Sequence, residues 1–461
     1  MWIVYLVDVI AAGGLAMIAL TKGLEAALPF ATYMIVLLPP DAMIPLGMFD
    51  LNPQRVIVVI LTLFYFVSGG NRTGIADKTG IPLKILMVVH VGWCIVSTAD
   101  SIVLVMSIKR ILGVVFEYYI LYIIYLKTVT RIETIHRILA AMVFGVITSS
   151  IFGPLEAYGG WTVMSLFPTV MHRFGEISFL SPDRGVRIHS TFLGAISFGT
   201  ALAMAITLAL YLLDILRKPM QRRFLWFGLM LMFLNLYKTA SRGPWLDAII
   251  GCVLLFVLGH NGHNHIRKRV MAIGMLSIAV CIFRPGVWDS IAALSMNTFD
   301  SNNLQGASFD YRFALRDVAI KAVLQSPGRA LWGYGMESFF YLNLTGQFRG
   351  KLFKFMSCDS SWIAFMVETG FVGLLIIALL LFKPARVAWR HFRQSSATIR
   401  NLPLVLLINL VVFYVQMLSV NSYPMTPNGH MLWIIIALIY IYGNTAVRLK
   451  LEQNQLVGIS D

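Results

Sequence analysis

Four basic side chains and one acid have types and spacings that could do chemistry. Arg242 lies in Lys238-Thr239-Ala240-Ser241-Arg242-Gly243, between two apolar runs, with Lys238 one helical turn before it on the same face. Arg312 follows Asp310-Tyr311 and opens an apolar-periodic stretch that runs to Leu324. Arg187 precedes Ser190-Thr191-Phe192, where another apolar run begins. A planar guanidinium grips two oxygens of a phosphate or pyrophosphate at once, a task suited to arginines at a water–lipid boundary. Asp359, in Cys358-Asp359-Ser360-Ser361-Trp362, ends a polar stretch immediately before an apolar run. A carboxylate at the mouth of an apolar cavity gains proton affinity by desolvation and can serve as a base. Plainer roles compete for each residue. Arg242 could snorkel or pair with Asp247, and Asp359 could cap the helix that follows, where Asp and Ser are favoured.

Composition determines what must hold these residues. Hydrophobic residues make up 58% of the 461 and charged residues 13%, with a mean hydropathy of +0.76. A soluble domain carries about 25% charged residues to face water, so most of this surface must face lipid. Apolar runs long enough for about 30 Å of hydrocarbon recur along the chain, and helices satisfy their own backbone there. They fall at 2–20, 24–39, 54–69, 82–99, 109–127, 135–153, 188–216, 222–240, 243–259, 268–284, 360–382, 402–420 and 430–446. The expectation is an all-α polytopic membrane protein with about 12–13 transmembrane helices. Pro29, Pro39 and Pro40 make the second run irregular, and the break at 239–244 reads as a tight turn or a kink.

The net charge of +15 follows from where Lys and Arg collect. Arg217-Lys218 with Arg222-Arg223, then Arg267-Lys268-Arg269, then Lys383, Arg386, Arg390, Arg393 and Arg400 form three clusters. Alternation puts all three on one side, which the positive-inside rule makes cytoplasmic, together with the C-terminal tail. This accounts for the basic excess without a nucleic-acid partner, and an anionic substrate is the second source. The opposite face receives residues 153–187, Ser241-Arg242-Gly243, the long segment 285–359 and residues 421–429. The side of the N-terminus is left open. Only segment 285–359 has a soluble composition, with a helix stop at Ser326-Pro327-Gly328 followed by Gly333-Tyr334-Gly335. An ordered loop this long is usually functional. Three parts are expected: an N-terminal helical bundle over 1–284, the loop over 285–359, and C-terminal helices over 360–461.

Other polar residues say less. His260, His263 and His265, beside Arg267-Lys268-Arg269, read as a solvated loop, and no metal site is expected. Cys94, Cys252, Cys281 and Cys358 are scattered, with no disulfide or metal spacing. Glu117 and Asp214 lie within or near apolar runs, where an ionisable group suggests function by default. Asp214 is expected to pair with Arg217; Glu117 shows no partner in the sequence. No phosphate-binding Gly-rich loop, zinc-protease motif, nucleophile elbow or dinucleotide fingerprint is present. Residues Met1 to Leu20 lack a basic leading region, so a cleaved signal peptide is not expected.

Together these residues resemble the O-antigen ligase/polymerase superfamily of bacterial envelope membrane proteins. Thr239-Ala240-Ser241-Arg242-Gly243-Pro244-Trp245 is similar to the family's Ser-Arg-Gly turn between two spans. Tyr311-Arg312, Ser326-Pro327 and Gly333-Tyr334-Gly335 are similar to its Arg…Pro…Gly-x-Gly loop. Asp359-Ser360 and Glu368-Thr369-Gly370-Phe371-Val372-Gly373 resemble its His-Asn or Asp-Asn motif followed by Glu-x-Gly-x-x-Gly. A fainter match lies at Arg187-Ile188-His189-Ser190-Thr191-Phe192.

The resemblance implies an inverting, metal-independent GT-C glycosyltransferase of the bacterial inner membrane, needing no cofactor and facing the periplasm. Its donor would be a glycan on undecaprenyl pyrophosphate and its acceptor another glycan, beside the usual chain-length regulator. The segment 285–359 would be its periplasmic catalytic loop. Carried over by position, Arg242 and Arg312 would grip the pyrophosphate leaving group, and Asp359 would contact the acceptor hydroxyl as base. Arg187, Lys238, Tyr311 and Ser360 would help to bind substrate. Ligases to lipid A-core typically show His where Asp359 stands and polymerases often show Asp, which favours a polymerase. Ser360 replaces the usual Asn, and Asp247 intrudes in a normally apolar stretch. A ligase is the alternative, and a transporter of lipid-linked sugars is a third reading. Transporters tend to show related halves, which this sequence lacks.

Overall fold

A computed structural model describes residues 2–44, 50–68, 80–167, 180–181, 185–259, 265–296, 304–355, 357–395, 401–423 and 425–457. His260, His263 and Arg400 lie outside the described residues. The N-terminal helices are α1 (Trp2–Lys22), α2 (Leu24–Leu37), α3 (Pro53–Val67) and α4 (Lys84–Thr98). Helices α5 (Leu104–Thr128) and α6 (Ile132–Gly159) follow. A two-residue pair, β1 (Leu180–Ser181) with β2 (Gly185–Val186), precedes α7 (Ala195–Ile215), α8 (Pro219–Lys238) and α9 (Arg242–Leu258). Helices α10 (His265–Phe283) and α11 (Pro285–Met296) lead to α12 (Leu304–Val323) and the short α13 (Pro327–Trp332). An antiparallel hairpin, β3 (Thr345–Phe348) with β4 (Lys351–Lys354), then leads to α14 (Ser361–Gln394), α15 (Asn401–Ser419) and α16 (Asn428–Val457).

A helix occupies each apolar run read from the sequence, so the chain is an all-α polytopic membrane protein. By length and composition, six described helices can cross a membrane unaided: most of α1, then α5, α6, α7, α14 and α15. The pair α10–α11, bent by 102°, makes a seventh if it is one span, while α2, α3, α4 and the start of α16 are apolar but shorter. Helix α7 is the centre. From Ser197 to Leu213 it is buried on every side, among α6, α8, α9 and α15. A helix apolar all round must sit inside, and its hydroxyls must bond internally. Thr207 accordingly donates to the Met204 carbonyl and accepts from Asn409 Nδ2 at 3.0 Å.

Three local expectations change. The run expected to start at 188 becomes helical only at Ala195, because the chain before it bonds elsewhere. The backbone N–H groups of His189 and Ser190 donate to Glu156 Oε2 at 2.8 and 2.9 Å, and Ser190 Oγ donates to the Ser149 carbonyl. Asp214 pairs with Arg269 of α10, where the sequence suggested Arg217. Helix α7 ends at Ile215, which carries Arg217 past its terminus, while α10 packs alongside and brings Arg269 in. Glu117 has a partner that the sequence could not show: Arg55, from the first turn of α3, lies 2.7 Å away. Glu117 stands in a π-helical stretch of α5, Val114–Ile120.

Candidate active site

Three helix ends converge at one end of the bundle. The backbone N–H of Ser361, opening α14, donates to the Val420 carbonyl at the end of α15. Gly243, in the first turn of α9, lies against Gln416 and Ser419 of that same end; a Cβ there would stand 3.0 Å from Gln416 Oε1. The end of α15 thus joins the start of α9, which carries Arg242, to the start of α14, which follows Asp359.

Ser360 is the N-cap of α14. Its Oγ accepts from the Ile363 N–H and donates to the Met417 carbonyl at 3.1 Å. The cap that Asp359 could have supplied is therefore filled by the next residue, and the hydroxyl of Ser360 is occupied and buried. The Asp359 carboxylate faces α12 instead. Its Oδ2 lies 3.5 Å from Arg312 Nε, and the two side chains are 30% and 29% exposed. Ser357 Oγ donates to Oδ1 at 3.5 Å, and Tyr311 OH donates to the Ser357 carbonyl at 3.0 Å. Burial raises the affinity of Asp359 for its proton, while the Arg312 charge and the Ser357 hydrogen bond oppose that rise.

The break at 239–244 is a tight turn. Helix α8 ends at Lys238 and α9 restarts at Arg242, with Ala240 in the left-handed region at φ 46°. Arg187 staples this turn, donating from Nη2 to Ser241 Oγ at 2.8 Å and from Nε to the Thr239 carbonyl at 3.3 Å. Lys238 lies over the Tyr158 ring, 4.9 Å from its centroid. Arg242 is half-buried as the first residue of α9. Asp247 does not hydrogen-bond to it; both Asp247 carboxyl oxygens are buried without a hydrogen-bond partner. Five residues at 100° each put the two side chains about 140° apart around the helix.

The Gly-Tyr-Gly and Glu-Thr-Gly motifs hold the loop in place. Helix α14 breaks at Gly370, whose φ of 69° and ψ of −176° are open only to glycine. The break leaves the carbonyls of residues 367–369 needing new donors. Tyr334 N–H takes Val367 at 3.0 Å, Gly335 N–H and Ser97 Oγ take Glu368, and Trp93 Nε1 takes Thr369 at 2.9 Å. A Cβ on Gly370 would run into the Leu331 carbonyl, and one on Gly333 would lie 2.6 Å from the backbone of Glu368 and Gly370. Arg329 completes the lock, paired with Asp100 at 2.8 Å and donating to the Gly333 carbonyl at 3.0 Å.

Residues 227–378, the stretch holding Arg242, Arg312, Asp359 and both glycine motifs, match the family model described as O-Antigen ligase. Over this third of its length the chain is similar to the O-antigen ligase family. No curated protein matches the chain. Proteins of this family are glycosyltransferase-like enzymes that act on lipid-linked glycans in the inner membrane. Within the matched stretch, Arg312, Asp359 and Tyr311 come together, Arg242 stands at the same end of the bundle with Lys238 beside its turn, and Arg187, which precedes the stretch, staples that turn. Sequence reasoning missed Ser357, which links Tyr311 to Asp359. It also missed Trp93 and Ser97, which stand 276 and 271 residues from the carbonyls they bind.

Proposed function

We propose that the chain is a polysaccharide polymerase that joins glycan repeat units carried on undecaprenyl pyrophosphate. The observation that carries this reading is the Arg312–Asp359 pair between α12 and the start of α14, inside the matched stretch. The acceptor hydroxyl attacks the anomeric carbon of the donor glycan, and the bond from that carbon to the pyrophosphate oxygen breaks. The electron pair leaves with the pyrophosphate, and the anomeric configuration inverts. Arg242 and Arg312 neutralise the developing negative charge, so neither nucleotide nor metal is needed. The transition state is oxocarbenium-like. Asp359 orients the acceptor hydroxyl, accepts its proton late, and releases it to water.

The basic clusters support the orientation. Their described members flank the starts of α8 and α10 and lie in the second half of α14, at the ends opposite those that carry Arg242 and Asp359. On this reading the site faces the periplasm, the C-terminus lies in the cytoplasm, and 285–359 is a periplasmic catalytic loop between helical segments 1–284 and 360–461. Arg187 and Lys238 support the Arg242 turn, Tyr311 and Ser360 support Asp359, and a chain-length regulator is the expected partner.

The test is deletion of the gene in its host, with complementation by wild type, Arg242→Ala, Arg312→Ala or Asp359→Asn after membrane levels are matched. A polymerase loses long polymer and leaves single repeat units on their acceptor or carrier. Polymer accumulating on undecaprenyl pyrophosphate would identify a ligase. Wild-type glycan from all three variants would refute the assignment of the site.

A further inference from the structure

A cavity of about 580 Å³ opens between α12 and β3, on the face of α12 turned away from Arg312. Its rim on α12 carries Asp317, Lys321 and Gln325, and the chain leading into and along β3 adds Asn343 and Gln347. The floor is apolar, formed by Val318 and Leu344. Gly346 makes the groove possible: β3 lies so close to α12 that a Cβ there would run into Val318 Cγ2. Tyr334 OH donates to Gln325 Oε1 at 3.1 Å, which fixes that amide in place.

The lining selects a ligand chemistry. Side-chain amides both donate and accept, matching the donor–acceptor character of a sugar hydroxyl. One acid and one base on the rim cancel, and no arginine lines the groove, so it is not built for a pyrophosphate. Its apolar area is a narrow floor, too small for a polyprenyl tail. Small-molecule sites have this volume and combine an apolar body with a few placed polar groups.

We propose that this groove is a saccharide subsite that holds the acceptor glycan while its end is presented at Asp359. The proposal rests on the polymerase reading for what the bound chain is, though not for the binding itself. Position favours the acceptor. Lys321 lies nine residues along α12 from Arg312, about 14 Å at 1.5 Å per residue. Tyr311 lies between the two faces, packed against Phe348 of β3 at 6.0 Å and linked through Ser357 to Asp359. A chain leaving Asp359 past Tyr311 therefore meets the groove.

The experiment uses the full chain in lipid nanodiscs. The probe is short oligosaccharide released by mild acid from the host's own surface glycan. Binding is measured for wild type, Asn343→Ala/Gln347→Ala and Arg312→Ala, and the same preparations are assayed with lipid-linked repeat units. The groove double variant should bind about tenfold more weakly, as loss of two neutral hydrogen-bonding amides implies, while Arg312→Ala binds as wild type. It should also make shorter polymer, with the first linkage still formed. Both replaced side chains are exposed, and Lys321→Met, on the opposite wall, provides a second variant that should also bind less. Wild-type affinity in both groove variants, or no binding by wild type, would overturn the subsite. Groove-dependent binding with no glycosidic bond formed by wild type would instead sink the polymerase reading and leave the subsite standing.

Discussion

Replacing Arg312 with Gln should move the acid limb of the polymerisation rate to higher pH. In the proposed mechanism Asp359 works as the carboxylate, so activity should fall as pH drops through its folded pKa, which burial has raised. Arg312 favours the carboxylate; removing its charge raises that pKa further and shifts the limb upward. At 3.5 Å, two unit charges attract by ~1 kcal/mol in water and ~5 kcal/mol at an effective dielectric near 20. Both side chains are about 30% exposed, so solvent screening selects the low end. With ~1.4 kcal/mol per pKa unit, the limb should move by about one unit. The assay is initial rate against pH with lipid-linked repeat units, each profile normalised to its own plateau because Arg312→Gln should also weaken the proposed hold on pyrophosphate. Arg312→Lys keeps the charge and should leave the limb near its wild-type position. An unmoved or downward-shifted limb in Arg312→Gln, or equal shifts in Gln and Lys variants, would refute the electrostatic link between the two residues.

Further consequences can be read from denaturation temperature in detergent. Gly370→Ala should cost about 1–3 kcal/mol from backbone conformation alone, with the clash on Leu331 added. Gly274→Ala in α10, where a Cβ meets nothing within 4 Å, should be neutral or stabilising by about 0.5–1 kcal/mol. Ser360→Ala should lower stability by about 0.5–2 kcal/mol through loss of the cap, and Ser360→Thr, which keeps the hydroxyl that donates to the Met417 carbonyl, should recover most of it. Arg269→Met should cost about 3–5 kcal/mol by leaving Asp214 buried without that charge. Exposed Arg217→Met should stay within about 0.5 kcal/mol.

The sequence was informative where one chemical property acts locally. Hydrophobic run length located α9, α14 and α15, because lipid leaves the backbone few alternatives, whereas α12 starts at Leu304, eight residues before Arg312, where the apolar period was expected to open. The turn at Ser241 and the helix start after Asp359 were legible for the same reason: polar residues interrupt apolar runs there. What the sequence hid was long-range pairing. Glu117 looked solitary because Arg55 reaches it from another helix, and Asp214 was assigned to its nearest cation when packing supplied a more distant one. The glycine motifs stood out as motifs, but their mechanical role did not. Only the fold shows that Gly370 breaks α14 and that α4 supplies donors to the freed carbonyls. Ser360 was read as a substrate contact, and the capping role its hydroxyl has in the fold was not legible, since nothing local tells a capping serine from a ligand-facing one.

The break at Gly370 also limits how the domain can be recombined. A designer exchanging the loop around Gly333–Gly335 with that of another protein would cut at the ends of the loop, where the chain looks modular. The carbonyls of 367–369 make that cut fail, because they are satisfied by Trp93 and Ser97 as well as by the loop itself. A viable chimera must carry α4, the loop and the first turns of α14 together, although they lie more than two hundred residues apart in sequence. The transplantable module is defined by who donates to whom, and it is discontinuous in the gene.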